Sequence, residues 1–151
     1  MIPQRRLGQG EQLAYFRLWW PEFRSYVREG KLIATGRLQP TDVSAVYTVQ
    51  FNQRGGDGPE VRVVEPLLRR NKDGAKIPHM YAQERLCLYL PGSGEWRPTD
   101  PIALTIVPWT SLWLYFYEVW HATGDWLGGG VHPDIPITIR KAQHERYQRR
   151  K

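Results

Sequence analysis

The chain has 151 residues, 41% of them hydrophobic and 24% charged, with a net charge of +6. That excludes a disordered chain and fits one domain with a substantial core. A single cysteine excludes an internal disulfide and a multi-cysteine zinc site. There is no run of about 18 purely apolar residues, and the first residues lack the apolar stretch of a signal peptide, so a cytoplasmic protein without a membrane partner is expected.

In chain order, residues 9–20 place Leu13, Phe16, Leu18, Trp19 and Trp20 at mixed helical spacing before Pro21, which predicts an amphipathic helix. Residues 25–38 read as a strand with a break at Glu29-Gly30, followed by the turn Gln39-Pro40-Thr41-Asp42. Residues 43–52 give the cleanest alternation: Ala45, Tyr47, Val49 and Phe51 on one face, Ser44, Thr48 and Gln50 on the other. The loop Arg54-Gly55-Gly56-Asp57-Gly58-Pro59 leads to a third strand over residues 60–68. Three strands joined by short turns imply an antiparallel meander. Residues 69–76 are a polar loop, and 77–94 are irregular with one extended piece at 85–90.

Beyond Pro101, the residues Trp109, Leu112, Trp113, Phe116 and Trp120 fall on one helical face, expected to pack on the sheet. Pro108 fits the first turn of that helix, or a kink in a longer one, and Thr123-Gly124 ends it. The order of elements predicts an α+β fold with helices on one face of the sheet. Residues 1–139 are expected to form the single domain, with 140–151 as a basic tail. That tail has six basic residues (Arg140, Lys141, Arg146, Arg149, Arg150, Lys151) against Glu145, a balance of +5, which leaves only +1 for the rest. A solvated tail is favoured over a nucleic-acid contact, because the body shows no basic stripe interleaved with aromatics.

No phosphate-binding GxxxxGK[ST] or GxGxxG motif follows a strand, so no cofactor is expected. His121 and His132 lack metal-ligand spacing, and no metal site is expected. Cys87 lies in Arg85-Leu86-Cys87-Leu88-Tyr89-Leu90. If this piece alternates, the three leucines claim the core and the thiol is turned toward solvent.

The segment from Pro78-His79-Met80-Tyr81 to Cys87-Leu88, followed by Trp96-Arg97-Pro98, resembles the active-site stretch of ubiquitin-conjugating enzymes. That family has a histidine motif, a turn, a cysteine followed by leucine, and a Trp-x-Pro motif before a helix. The preceding helix and meander match its element order, so the resemblance covers residues 9–124. The family's His-Pro-Asn is here Pro-His-Met-Tyr, without the asparagine associated with the oxyanion. The tryptophan-rich C-terminal half is similar to the prokaryotic branch found in antiphage operons built on cyclic-oligonucleotide signalling.

The resemblance implies a ubiquitin-conjugating-enzyme-like fold and a thioester-forming transferase. Cys87 would carry the C-terminal acyl group of a ubiquitin-like protein or a cGAS-like nucleotidyltransferase to an amine or other acceptor. The expected partners are such a protein substrate and an activating enzyme in trans. A thiolate is chemically suited to this two-step transfer. Arg85 and Arg97 are candidates for lowering the thiol pKa. His79 is a candidate base or a brace of the loop, and Tyr81, Tyr89 and Asn71 are candidate oxyanion donors. Asp125, beyond the helix, is where the family often places an acid that positions the amine. Trp96 and Pro98 are structural. A binding adaptor of the same fold and a Cys–His hydrolase remain as alternatives, although no third member of a hydrolytic triad is evident.

Overall fold

The computed structural model describes residues 4–129. The basic stretch 140–151 and His132 lie outside them. Helix α1 spans Gln9–Trp19. At its start the Glu11 carboxylate accepts the Gly8 N–H at 3.3 Å and a two-pronged Arg5 guanidinium at 2.9 and 3.0 Å. That places negative charge at the positive end of the helix dipole. Its buried residues are Gln12 and Phe16, while Leu18 and Trp19 face solvent.

Four antiparallel strands follow in the order β1 (Arg24–Arg28), β2 (Lys31–Leu38), β3 (Tyr47–Arg54) and β4 (Glu60–Glu65). The expected three-stranded meander therefore gains a strand. Glu29 and Gly30 both take positive φ, 51° and 73°, and close a two-residue hairpin between β1 and β2. Such a turn matches the twist of its flanking strands. Strand β3 starts later than expected: Ala45 is exposed outside it, while Tyr47, Val49 and Phe51 are buried as their alternation requires. In register, Ala34 faces Phe51 and Phe51 faces Val61, which builds one apolar face across three strands.

Phe16 of α1 lies on that face. Its ring centroid is 6.3 Å from Phe23 and 6.1 Å from Phe51. Gly36 lets Phe23 in, since a Cβ there would stand 1.9 Å from the Phe23 ring. Buried Gln12 ties α1 to the chain ahead of the last helix. Its amide donates to the Asp100 carbonyl at 3.1 Å, and its oxygen accepts the Ile102 N–H at 2.9 Å. Trp20 adds an indole bond to the Ala103 carbonyl at 2.7 Å.

After a single 3-10 turn at Ile102–Leu104, helix α2 runs Ile106–Thr123 with Pro108 in its first turn and a left-handed Gly124 at its end. Its buried face is Ile106, Val107, Thr110, Trp113, Leu114, Tyr117 and Trp120. The predicted stripe is thus rotated: Trp113 and Trp120 are core, Trp109 and Phe116 are half-buried, and Leu112 is 51% exposed. The helix is apolar almost all round, so periodicity could not select its inner face. Tyr117 meets Tyr47 edge-on at 6.5 Å, on the face of β3 that also receives Phe16. Both helices therefore share one side of the sheet, and the α+β architecture is as expected.

By length and composition, 102–123 is apolar enough to cross a membrane, although it is not a purely apolar run. Here it is the core helix. Its Glu118 accepts hydrogen bonds from Ser44 at 2.5 Å and Tyr47 at 3.1 Å.

Candidate functional site

Two short strands, β5 (Met80–Tyr81) and β6 (Arg85–Leu86), form a hairpin that carries the cysteine at its exit. The hairpin is tightly bent: Ala82 and Gln83 have φ of 50° and 55°, and His79 just before it has 53°. Three non-glycine residues in the left-handed region within five positions are costly and need support. Gln83 supplies part of it. Its side chain accepts the Ile77 N–H at 2.8 Å and donates to the Ile77 carbonyl at 2.9 Å, imitating a strand partner.

Cys87 is 9% exposed. The expected alternation does not hold, because the ladder ends at Leu86 and the chain then leaves it, so Leu86 and Cys87 are buried together. The Cys87 N–H donates to the His79 carbonyl at 2.9 Å, and the Trp113 indole donates to the same oxygen at 3.2 Å. His79 thus braces the thiol segment through its backbone, while its ring packs on Trp126 at 5.2 Å. Among the described residues, the thiol is within hydrogen-bond reach of the Tyr81 hydroxyl at 3.5 Å and the Tyr89 carbonyl at 3.7 Å.

The other candidates fare differently. The Tyr89 ring lies tilted against Trp96 at 5.9 Å, and its hydroxyl points at Gly58, where a Cβ would come within 2.3 Å. Burial, then the Cys87 charge, raises its pKa, so it stays a neutral phenol. Asn71 is used locally: its side-chain oxygen accepts the Asp73 and Ala75 N–H groups at 3.1 and 3.0 Å and shapes its own loop. Arg97 is exposed, with its N–H bonded to Asp100 at 2.9 Å and its guanidinium beside Gly94. Arg85 is engaged by Glu60 at 3.1 Å and lies over the Tyr81 ring at 5.5 Å. The Trp96-Arg97-Pro98 motif is anchored through the Pro98 carbonyl, which accepts the Leu7 N–H at 3.0 Å. Asp125 is exposed just past α2, next to the Trp126 that covers His79.

The sequence profile of the family described as Type II CBASS E2 protein matches residues 12–133. The chain belongs to that family. The matched span takes in most of α1 and all of the sheet, the cysteine hairpin and α2 of this CBASS E2 protein. No curated protein matches the chain. Membership implies a conjugation-type role in CBASS antiphage defence, with partners from the CBASS operon.

In this CBASS E2 chain, sequence reasoning missed Gln83 and the pairing of Arg85 with Glu60. Neither has a local signal. One is a polar residue bonding to a backbone six positions back, and the other is a charge pair across 25 residues. Among the described residues there is no group of three metal-ligating side chains. His121 donates to the Arg70 carbonyl at 3.1 Å.

Proposed function

We propose that Cys87 accepts the C-terminal acyl group of a protein as a thioester and passes it to an amine. The observation that carries this reading is the placement of the chain's single cysteine at the exit of a braced, strained hairpin within the span matched by the family. In the first step the thiol gives its proton to solvent and the thiolate sulfur adds to the activated carbonyl carbon. Collapse of the tetrahedral intermediate expels the donor's leaving group. In the second step the acceptor amine adds to the thioester carbon, the C–S bond breaks with its pair returning to sulfur, and the amine loses a proton to solvent. Activation of the acyl group belongs to a partner. Asp125, exposed beside Trp126, is the acid proposed to receive the incoming amine.

The test uses a short peptide carrying a C-terminal glycyl thioester of a small thiol, which exchanges onto a reactive cysteine without an activating partner. The expected result is an adduct on Cys87 that disappears with excess thiol and is absent in Cys87→Ala. Adduct formation by Cys87→Ala overturns the reading. No adduct on the native chain favours a binding adaptor, and turnover without accumulation favours a hydrolase.

A further inference from the structure

We infer that the Tyr81 hydroxyl is the oxyanion donor of the Cys87 site, oriented by the Arg85–Glu60 pair. This inference rests on the thioester reading above and names the group that completes it. An acyl carbonyl on Cys87 puts its oxygen two bonds from Sγ, so a donor must lie close to the sulfur. The Cys87 N–H is not available, because it is committed to the His79 carbonyl at 2.9 Å. The Trp113 indole N–H is held by the same oxygen. Asn71 shapes its own loop and the Tyr89 hydroxyl points at Gly58. The Tyr89 group near the sulfur is a carbonyl, which accepts and cannot stabilise an anion. Among the described residues, the Tyr81 hydroxyl is a side-chain O–H in contact with the thiol, 3.5 Å from Sγ.

Tyr81 is also held as a positioned donor should be. Its backbone is in register with Arg85 across the hairpin, and the Arg85 guanidinium lies over its ring at 5.5 Å. Glu60 of β4 fixes that guanidinium at 3.1 Å. A half-exposed ion pair of this kind adds little to stability. Its consequence here is orientation: a planar cation held over the ring face restricts how the phenol can turn. When the amine adds to the thioester carbon, the carbonyl pair moves onto oxygen and the Tyr81 O–H donates to it while keeping its proton. As the C–S bond breaks, the same hydroxyl is placed to donate to the departing thiolate.

The experiment loads Cys87 with the glycyl thioester peptide and follows single-turnover discharge by free lysine. Tyr81→Phe keeps the ring under Arg85 and removes one hydroxyl. Loss of an oxyanion donor slows transfer about 10²-fold, with an unchanged unfolding midpoint and a pH profile of unchanged shape. Arg85→Lys keeps the charge and loses the planar clamp. It is expected to slow discharge in the native background and to have no further effect on top of Tyr81→Phe, the sign of a residue acting through Tyr81. Normal loading with native discharge by Tyr81→Phe overturns this inference alone. Failure of native Cys87 to load overturns the thioester reading and this inference with it.

Discussion

The indole N–H of Trp113 and the backbone N–H of Cys87 converge on one acceptor, the carbonyl of His79, at 3.2 and 2.9 Å. A core helix and the thiol segment thereby share a single oxygen. Trp113 also stacks on Tyr117 at 5.8 Å and abuts Trp126 at 5.3 Å, the ring that covers His79. Trp113 therefore links the core to the site.

Trp113→Phe removes the N–H and keeps most of the ring. Loss of one hydrogen bond costs about 1 kcal/mol, and the smaller ring adds to it, so denaturant unfolding should show about 1–2 kcal/mol of destabilisation. Alkylation of Cys87 should quicken, since its segment loses a tether. Trp113→Ala empties the position and should cost about 3–5 kcal/mol. Equal alkylation rates in the native chain and Trp113→Phe would mean that the segment is held without this bond.

What was legible in the sequence follows from which patterns physics enforces locally. Tyr47, Val49 and Phe51 alternate because β3 has one buried face, and the alternation is legible where the strand is paired on both sides. The inner face of α2 was not legible, because a helix without a polar side offers no contrast, and the tryptophans drew the stripe toward Leu112. Cys87 was expected to be exposed on the assumption that pairing continues to Leu90, whereas the ladder stops at Leu86. His79, Cys87, Trp96 and Pro98 are singled out by the resemblance of their order to the conjugating-enzyme motifs; in the fold the first two share a backbone hydrogen bond and the Pro98 carbonyl accepts the Leu7 N–H. Gln12 was invisible, since a buried glutamine inside a helix declares itself only through the distant backbone it bonds.

Gln12 bridges α1 to the Asp100 carbonyl and the Ile102 N–H from a fully buried position. Gln12→Leu fills much of the same space and satisfies neither group. Each buried orphan costs about 1–3 kcal/mol; with the Asp100 carbonyl only part-buried and the leucine adding apolar burial, a net loss of about 2–4 kcal/mol is expected in denaturant unfolding. A change under about 0.5 kcal/mol, the range of an ordinary surface substitution, would show that the bridge is not what joins these elements.

Tyr47 gives the stability a dependence on alkaline pH. Burial, then the neighbouring Glu118 carboxylate, pushes its pKa well above the ordinary tyrosine value. The unfolded phenol ionises near pH 10 while the folded one keeps its proton, so the native state holds more protons above that pH. The contribution is therefore full below about pH 10 and is lost as pH rises, at up to about 1.4 kcal/mol per pH unit for the one proton. Tyr47→Phe removes this titration. Its stability between about pH 10 and 12 should fall less steeply than that of the native chain. Parallel slopes would show that Tyr47 titrates normally.

Cys87 is the residue whose substitution separates chemistry from packing. The thiol is 9% exposed and lies against the Tyr81 hydroxyl and the Tyr89 carbonyl. Cys87→Ala should cost about 1 kcal/mol, the size of a typical single substitution, because it deletes one packed sulfur and leaves the backbone bond to His79 in place. It should abolish peptide loading completely. On the native chain a small alkylating reagent should modify the thiol, more slowly than a free cysteine, and a bulky aromatic disulfide should react more slowly still. Tyr81→Ala, which removes the ring beside the sulfur, should raise the rate of the bulky reagent more than that of the small one. If both reagents modify native Cys87 as fast as they modify free cysteine, the thiol is open in solution and the hairpin does not cover it. A cost of several kcal/mol for Cys87→Ala together with a thiol inert to both reagents would make it a core side chain and remove it from the chemistry.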